Sequence, residues 1–418
     1  MGDRTNQSLF DRACEVIPGG VNSPVRAFGA VGGTPYFVDR AEGAHVWDVE
    51  NTRYIDMVQS YGAVILGHGH PVVVDAVSTA AADGTSYGAP TEREVLLAEE
   101  VCARVPSVER LRMVSSGTEA TMSAMRVARG FTGRRKVVKF AGNYHGHSDA
   151  LLVSGGTAMA TLGIPGSAGV TEHAVADTVV APYNVVPELD EDVACVMVEP
   201  VAANMGLIGP VPGFLEGLRD ACDQVGALLV FDEVITGFRL ALGGAREFYN
   251  LQPDLSVYAK AMAGGFCLSG VGGRKEIFEV LDNGRTIHAG TYNGNPVNLA
   301  AGIATIKTLS APGTFERMHA HGRALRERIE SAAAARGIEV VTTGSGPVFS
   351  VHFGLTAPPR DYRDTLAASA EHSAAFRLGL LHRGVLVLPD SRWYVGAVHG
   401  EPELAIALAA IDGAILGM

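Results

Sequence analysis

Three observations predict an α/β protein, a mostly parallel sheet flanked by helices with a smaller α+β unit assembled from both chain ends. Between residues 110 and 310, short apolar runs alternate with helical stretches, which is how parallel strands and their crossover helices read. After residue 310 the pattern changes to a long charged helix, separate short strands and a terminal helix. With 418 residues, 47% hydrophobic and 19% charged, the composition is that of a globular chain and excludes a disordered or fibrous one. The implied division is 1–65 for the N-terminal part of the small domain, 66–310 for the large domain and 311–418 for the C-terminal part of the small domain.

The elements follow in order. Residues 1–60 read as irregular and turn-rich, with a small meander of strands at 35–39, 45–49 and 54–57 and a turn at Glu42-Gly43. The Ala/Val-rich stretch 71–83 and residues 92–105, opened by Thr91 and acidic residues, read as helices. Strands are expected at 111–114, 136–140, 194–198, 227–231 and 255–258, with helices at 119–130, 214–224 and 295–309. Beyond them come helix 315–336, strands at 339–341 and 348–353, helix 366–383, strand 385–388 and helix 401–416. Residues 153–170, rich in Gly, Ser, Thr and Ala, form a candidate lid loop.

Charge and cysteines narrow the function. The net charge is −12 and no basic stripe is present, so the footprint of a nucleic-acid binder is missing. The five cysteines have neither disulfide-framework nor metal-ligand spacing. The first residues lack the apolar core of a signal peptide, and no apolar run reaches the ~20 residues of a membrane span. A soluble cytoplasmic protein without a metal is expected.

Four features could carry chemistry, and each has an ordinary alternative. Ser115-Ser116-Gly117-Thr118 lies between a strand and a helix, where backbone N–H groups favour an anion; a plain helix cap reads the same way. Asp232 ends an apolar strand, where a carboxylate needs a partner such as a protonated ring nitrogen, a buried salt bridge or a helix cap. Lys260 ends the next strand. A desolvated lysine becomes a Schiff-base nucleophile, whereas a surface lysine is the commoner occupant of such a position. Tyr144, with His145 beside it, follows the strand at 136–140 and could stack on a flat ring. The His145-x-His147 pair has no third metal ligand at a recognisable spacing. Each signal is weak alone. Together they form the parts list for pyridoxal phosphate: a phosphate cradle, an acid for the ring nitrogen, a stacking aromatic and a lysine.

On these residues the chain resembles the fold-type I, class III aminotransferases, and among them the glutamate-1-semialdehyde 2,1-aminomutases. The motifs are Ile17-Pro18-Gly19-Gly20-Val21-Asn22-Ser23-Pro24-Val25-Arg26-Ala27-Phe28, Ser86-Tyr87-Gly88-Ala89-Pro90-Thr91-Glu92, Ser116-Gly117-Thr118-Glu119-Ala120, Tyr144-His145-Gly146-His147 and Asp232-Glu233-Val234-Ile235-Thr236-Gly237-Phe238-Arg239. The resemblance implies that Lys260 bonds to the cofactor aldehyde and moves protons. It implies that Asp232 pairs with the ring nitrogen, that Val234 and Tyr144 cover the two ring faces, and that Gly117 and Thr118 hold the phosphate, to which the Ser116 hydroxyl could add a donor. His145, Glu199 and Asn204 would lie near the cofactor, and Ser23 and Arg26 would meet the substrate. Thr291 would reach the cofactor phosphate of the neighbouring subunit in a homodimer.

The chain departs from that pattern around the substrate. Tyr61 stands where the aminomutases have Trp, Cys267 replaces a proline, and Tyr292 lies in an altered Gly-Thr motif. The stretch Leu388-Pro389-Asp390-Ser391-Arg392-Trp393 is about two residues shorter than the family's, and the family's acid there has no assigned counterpart. Tyr61, Tyr292 and Trp393 are read as aromatics for a sugar face, with ordinary core packing as the alternative. Cys267 is read as a substrate-side group, with a small buried hydrophobe as the alternative. Retained cofactor motifs with altered walls suggest amino-group transfer or epimerisation on an amino sugar of aminoglycoside antibiotic biosynthesis, as in gentamicin-type paralogues. The alternative is the aminomutase reaction of tetrapyrrole biosynthesis.

Overall fold

In the computed structural model the described residues are 4–27, 33–153 and 167–418. Phe28 of the first motif and residues 154–166 of the expected lid loop lie outside them. The chain opens with a helix, Asn6–Val16, where the sequence read as irregular. Thr5 and Ser8 form a capping box at its start, and only Ala13 of the helix is buried. Strands β1 (Val38–Glu42), β2 (His45–Asp48) and β3 (Arg53–Asp56) form the expected meander.

The central sheet contains β4 (Arg110–Val114), β5 (Lys136–Phe140), β6 (Thr178–Ala181), β7 (Val193–Val198), β8 (Leu228–Asp232), β9 (Leu255–Tyr258) and β10 (Ser269–Gly273). Their order is β4-β10-β9-β8-β7-β5-β6. All run parallel except β10, which is antiparallel to both β4 and β9. The interior strands are apolar on both faces because helices cover both sides; every residue of β7 is buried. The sequence reading omitted β6 and β10. In β10, Ser-Gly-Val-Gly-Gly has poor strand propensity, and packing demands it. A Cβ on Gly272 would meet Val108 at 2.7 Å, and one on Gly273 would meet the Asp254 carbonyl at 2.3 Å.

The C-terminal part adds the helix Thr314–Ala334 and strands β11 (Val340–Ser345), β12 (Val348–Phe353), β13 (Val385–Leu386) and β14 (Arg392–Tyr394). Strand β13 pairs in parallel with β3, so the N-terminal meander is completed by the far end of the chain. Strand β14 joins β12 in a second small sheet. The expected helix 366–383 is two pieces, Tyr362–Thr365 and Ala370–Leu381, because the Ser369 hydroxyl caps the second.

Arg239 fastens the parts together. Fully buried, it donates to the Val395 carbonyl at 3.1 Å and the Gly62 carbonyl at 2.7 Å. Next to Gly62 the backbone is strained: Gln59, Ser60 and Tyr61 all have positive φ, between 50° and 58°. The Asp56 carboxylate holds this left-handed turn by accepting the Val58 and Gln59 N–H groups, each at 2.9 Å.

Candidate active site

The carboxyl ends of β5, β7, β8 and β9 open onto a cavity of about 480 Å³. Asp232 and Lys260 enter it from successive strand ends, Glu199 from the end of β7, and Tyr144 and His145 from the turn after β5. Ser116, Gly117, Thr118, Asn204, Val234, Arg26 and Cys267 complete the part of the wall relevant here.

Asp232 is buried. Its Oδ2 accepts from His145 Nδ1 at 2.6 Å and its Oδ1 from the Val234 N–H at 3.1 Å. Burial pushes the His145 pKa down, so the imidazole is neutral and presents Nδ1–H to the carboxylate. Glu199 accepts from the Tyr144 N–H at 2.6 Å and the Ala203 N–H at 2.9 Å. Burial and the Asp232 charge push Glu199 up to about 7.

Lys260 has a left-handed backbone, φ 48°, at the start of the turn after β9, a strained conformation for a non-glycine residue. Its amine has no hydrogen-bond partner among the described residues. Burial, then the Arg392 cation, bring its pKa down to about 8. That is the environment of an amine able to act as a nucleophile and proton carrier near neutral pH.

Ser116 caps the helix Gly117–Thr132: its hydroxyl accepts from the Glu119 N–H at 3.2 Å and donates to Glu119 Oε2 at 2.9 Å. The cap alternative therefore holds for this hydroxyl. An anion is left with the first-turn N–H groups of Gly117 and Thr118, which have no intrahelical acceptor. A Cβ on Gly117 would lie 3.3 Å from Val234 Cγ2, a tight contact, so glycine leaves the most room here.

Around the mouth, Ser23 accepts the Arg26 N–H through its carbonyl at 3.0 Å but is not in the cavity wall. Arg26 is exposed, lines the cavity and donates to the Tyr61 hydroxyl. Cys267 is exposed in the wall, not a buried hydrophobe. Thr291 and Tyr292 are exposed on a different surface. Thr291 lines a separate cavity of about 720 Å³ with Ser86 and Tyr87, and Tyr292 is 65% exposed. The expectation for Trp393 is corrected: it is 0% exposed and stacked on Phe349, 5.3 Å between centroids, in the core of the C-terminal unit. Among the described residues, no cluster of three His, Cys, Asp or Glu could hold a metal, and no helix is long and apolar enough to cross a membrane.

The sequence reading missed two charged groups. Arg392 is 6% exposed and contacts Asn204 in the cavity wall; Lys139 is 1% exposed on β5. Both faced the same obstacle: a cation within an apolar-looking stretch shows its surroundings only after folding. The Asp390-x-Arg392 spacing was the one available hint.

The fold and the site define a class. The class III aminotransferase family model matches residues 28–387, and the chain belongs to that family. It is a pyridoxal-phosphate-dependent enzyme. The residues present fit the cofactor: an acid on the floor, an amine without a partner and a glycine-lined helix start open to one cavity. The glutamate-1-semialdehyde 2,1-aminomutase of Neisseria meningitidis serogroup A is 47% identical over 97% of each chain. An omega-transaminase from Sphaerobacter thermophilus has a TM-score of 0.92 at 32% identity, covering 100% of this chain and 98% of that one. A transaminase with PLP bound has a TM-score of 0.86 at 32% identity, covering 98% and 96%. These relatives correct the reading of the substrate walls. The relative at 47% identity carries the aminomutase name, and the aminomutase alternative fits better than the aminoglycoside one.

Proposed function

We propose that this enzyme moves an amino group within one molecule, from carbon 2 to carbon 1 of glutamate 1-semialdehyde, giving 5-amino-4-oxopentanoate. The observation that carries the reading is the 47% identity to a glutamate-1-semialdehyde 2,1-aminomutase along almost the whole of both chains. Bound pyridoxal phosphate supplies an electron sink for the carbon that carries the nitrogen.

The chain's own residues supply the rest. Lys260, with its amine near 8, takes a proton from one amine-bearing carbon and returns one to the other. Asp232, steadied by His145 at 2.6 Å, would pair with the ring nitrogen of the cofactor. Val234 and Tyr144 would cover the cofactor ring, the Gly117 and Thr118 amides would hold its phosphate, and Glu199 and Asn204 would lie beside it. The guanidinium of Arg26, at the mouth, takes the substrate carboxylate as a two-pronged partner, with Ser23 and Tyr61 beside it. Cys267, in the same cavity wall, is a further substrate-side group.

The working unit in this reading is a cytoplasmic homodimer. Thr291 reaches the partner's phosphate, which fits its exposure away from its own chain's cavity. The division 1–65, 66–310 and 311–418 is retained, supported by the pairing of β13 with β3.

The test is conversion of glutamate 1-semialdehyde by the purified enzyme with no other amino donor or acceptor, followed by product mass. Formation of an isomer of unchanged mass is expected. A strict requirement for a second amino compound would make it an intermolecular transaminase and overturn the reading.

A further inference from the structure

We propose that Arg392 is a positioning residue of the cofactor site: it fixes the Asn204 carboxamide against Glu199 and turns a permanent positive charge toward Lys260. The inference rests on the family's cofactor chemistry and not on which substrate is used.

Arg392 lies on β14, in the C-terminal unit, whereas Asn204, Glu199 and Lys260 belong to the turns of the central sheet. A guanidinium this buried is costly unless compensated. Asp390 compensates it: Nε donates to Asp390 Oδ2 at 2.8 Å, and Nη2 lies 2.6 Å from the same oxygen. The remaining arm, Nη1, donates to Asn204 Oδ1 at 3.2 Å. That contact settles which way the amide points. With its oxygen on a cation, its NH₂ group must face the carboxylate, and Nδ2 lies 3.4 and 3.5 Å from the two Glu199 oxygens. Glu199 in turn receives the Tyr144 N–H. One polar chain therefore runs from Asp390 to the turn that carries the aromatic wall.

The charge has a second address. The charged or titratable groups facing the Lys260 amine are the carboxyl groups of Asp232 and Glu199 and the cations Arg392 and Arg239, and of these Arg392 acts most strongly. Arg239 is engaged by two backbone carbonyls. Arg392 itself faces Asp390, Tyr394, Glu199 and Tyr61. An arginine keeps its charge at every working pH, so its push on the lysine proton is constant.

The test uses the holoenzyme without substrate and follows the pH midpoint of the cofactor's visible band, which reports protonation of the Lys260 nitrogen. Arg392→Gln should raise the midpoint by about one unit, a roughly tenfold gain in proton affinity. Arg392→Lys should stay within about 0.3 units of the parent. Asp390→Asn, which unmasks the cation, should lower the midpoint. An unmoved midpoint in Arg392→Gln, an equal rise in Arg392→Lys, or a rise in Asp390→Asn overturns the proposal. If Arg392→Gln does not fold, the direction of the Asp390→Asn shift decides. Because no substrate is present, the result is independent of the aminomutase assay.

Discussion

Lys139, near the end of β5, and Lys260, just past the end of β9, are both pushed down to about 8 by burial, and the same two carboxylates, Asp232 and Glu199, face both. They differ in what surrounds the nitrogen. Lys139 is 1% exposed and donates to the Leu151 carbonyl at 2.9 Å. Lys260 lines the cavity, has no acceptor among the described residues and stands on a left-handed backbone. Desolvation alone therefore does not make a reactive lysine. Reach into a cavity with an unsatisfied nitrogen does, and that distinction is topological: one side chain points back into the protein and the other out beyond the strand ends.

The sharpest way to break this contrast is to delete each amine. Lys260→Ala should lower kcat by more than about a thousandfold while the enzyme stays folded, since in the proposed reading it is the group that bonds the cofactor and carries protons. Retained turnover would move the chemistry elsewhere. Asp232→Asn keeps the shape beside His145 and removes the charge; kcat/KM should fall roughly a hundredfold and the cofactor should dissociate more readily on dialysis.

Lys139→Met should change kcat by less than about threefold, and its signature should lie in stability. The folded pKa of Lys139, near 8, is below its ordinary value, so between about pH 8 and 10.5 the unfolded chain binds more protons than the folded one. Its contribution to stability therefore rises with pH across that window. The difference in unfolding free energy between parent and Lys139→Met should shift in the parent's favour from pH 8 to 10, by an amount on the order of 2 kcal/mol. A constant difference would show that Lys139 is not desolvated. The smallest effect on catalysis is expected from Trp393→Phe: KM within twofold, with about 1–2 kcal/mol lost in unfolding. A tenfold rise in KM would return Trp393 to the substrate wall.

How much could be read beforehand follows from how local each signal is. The helices Pro71–Asp83 and Glu401–Leu416 and the strands Lys136–Phe140 and Leu255–Tyr258 match the sequence reading to the residue, because their apolar runs are bounded by turn residues or caps. The helix Asn6–Val16 was missed because it buries so little that no apolar stripe marks it. β10 was missed because its glycines answer to neighbours far along the chain. The same rule divides the site. Asp232, Lys260 and Tyr144 were legible because each stands at or just past the end of its own strand. Arg392 became meaningful only when β14 brought it to Asn204, and Trp393, its neighbour, turned the other way into the core.

The pairing of Val385 with Ile55 has a consequence for how the chain is made. The partner of β3 leaves the ribosome about 330 residues after β3 does. At ~5–20 residues per second this is a delay of roughly 15 to 70 seconds. Through that interval the meander has an open edge, the kind of surface that recruits stray strands. The central sheet, whose strands all lie before residue 274, has emerged by then. The birth of this enzyme is thus staged, with the sheet that carries Lys260 available early and the unit that carries Arg392 closing over it last.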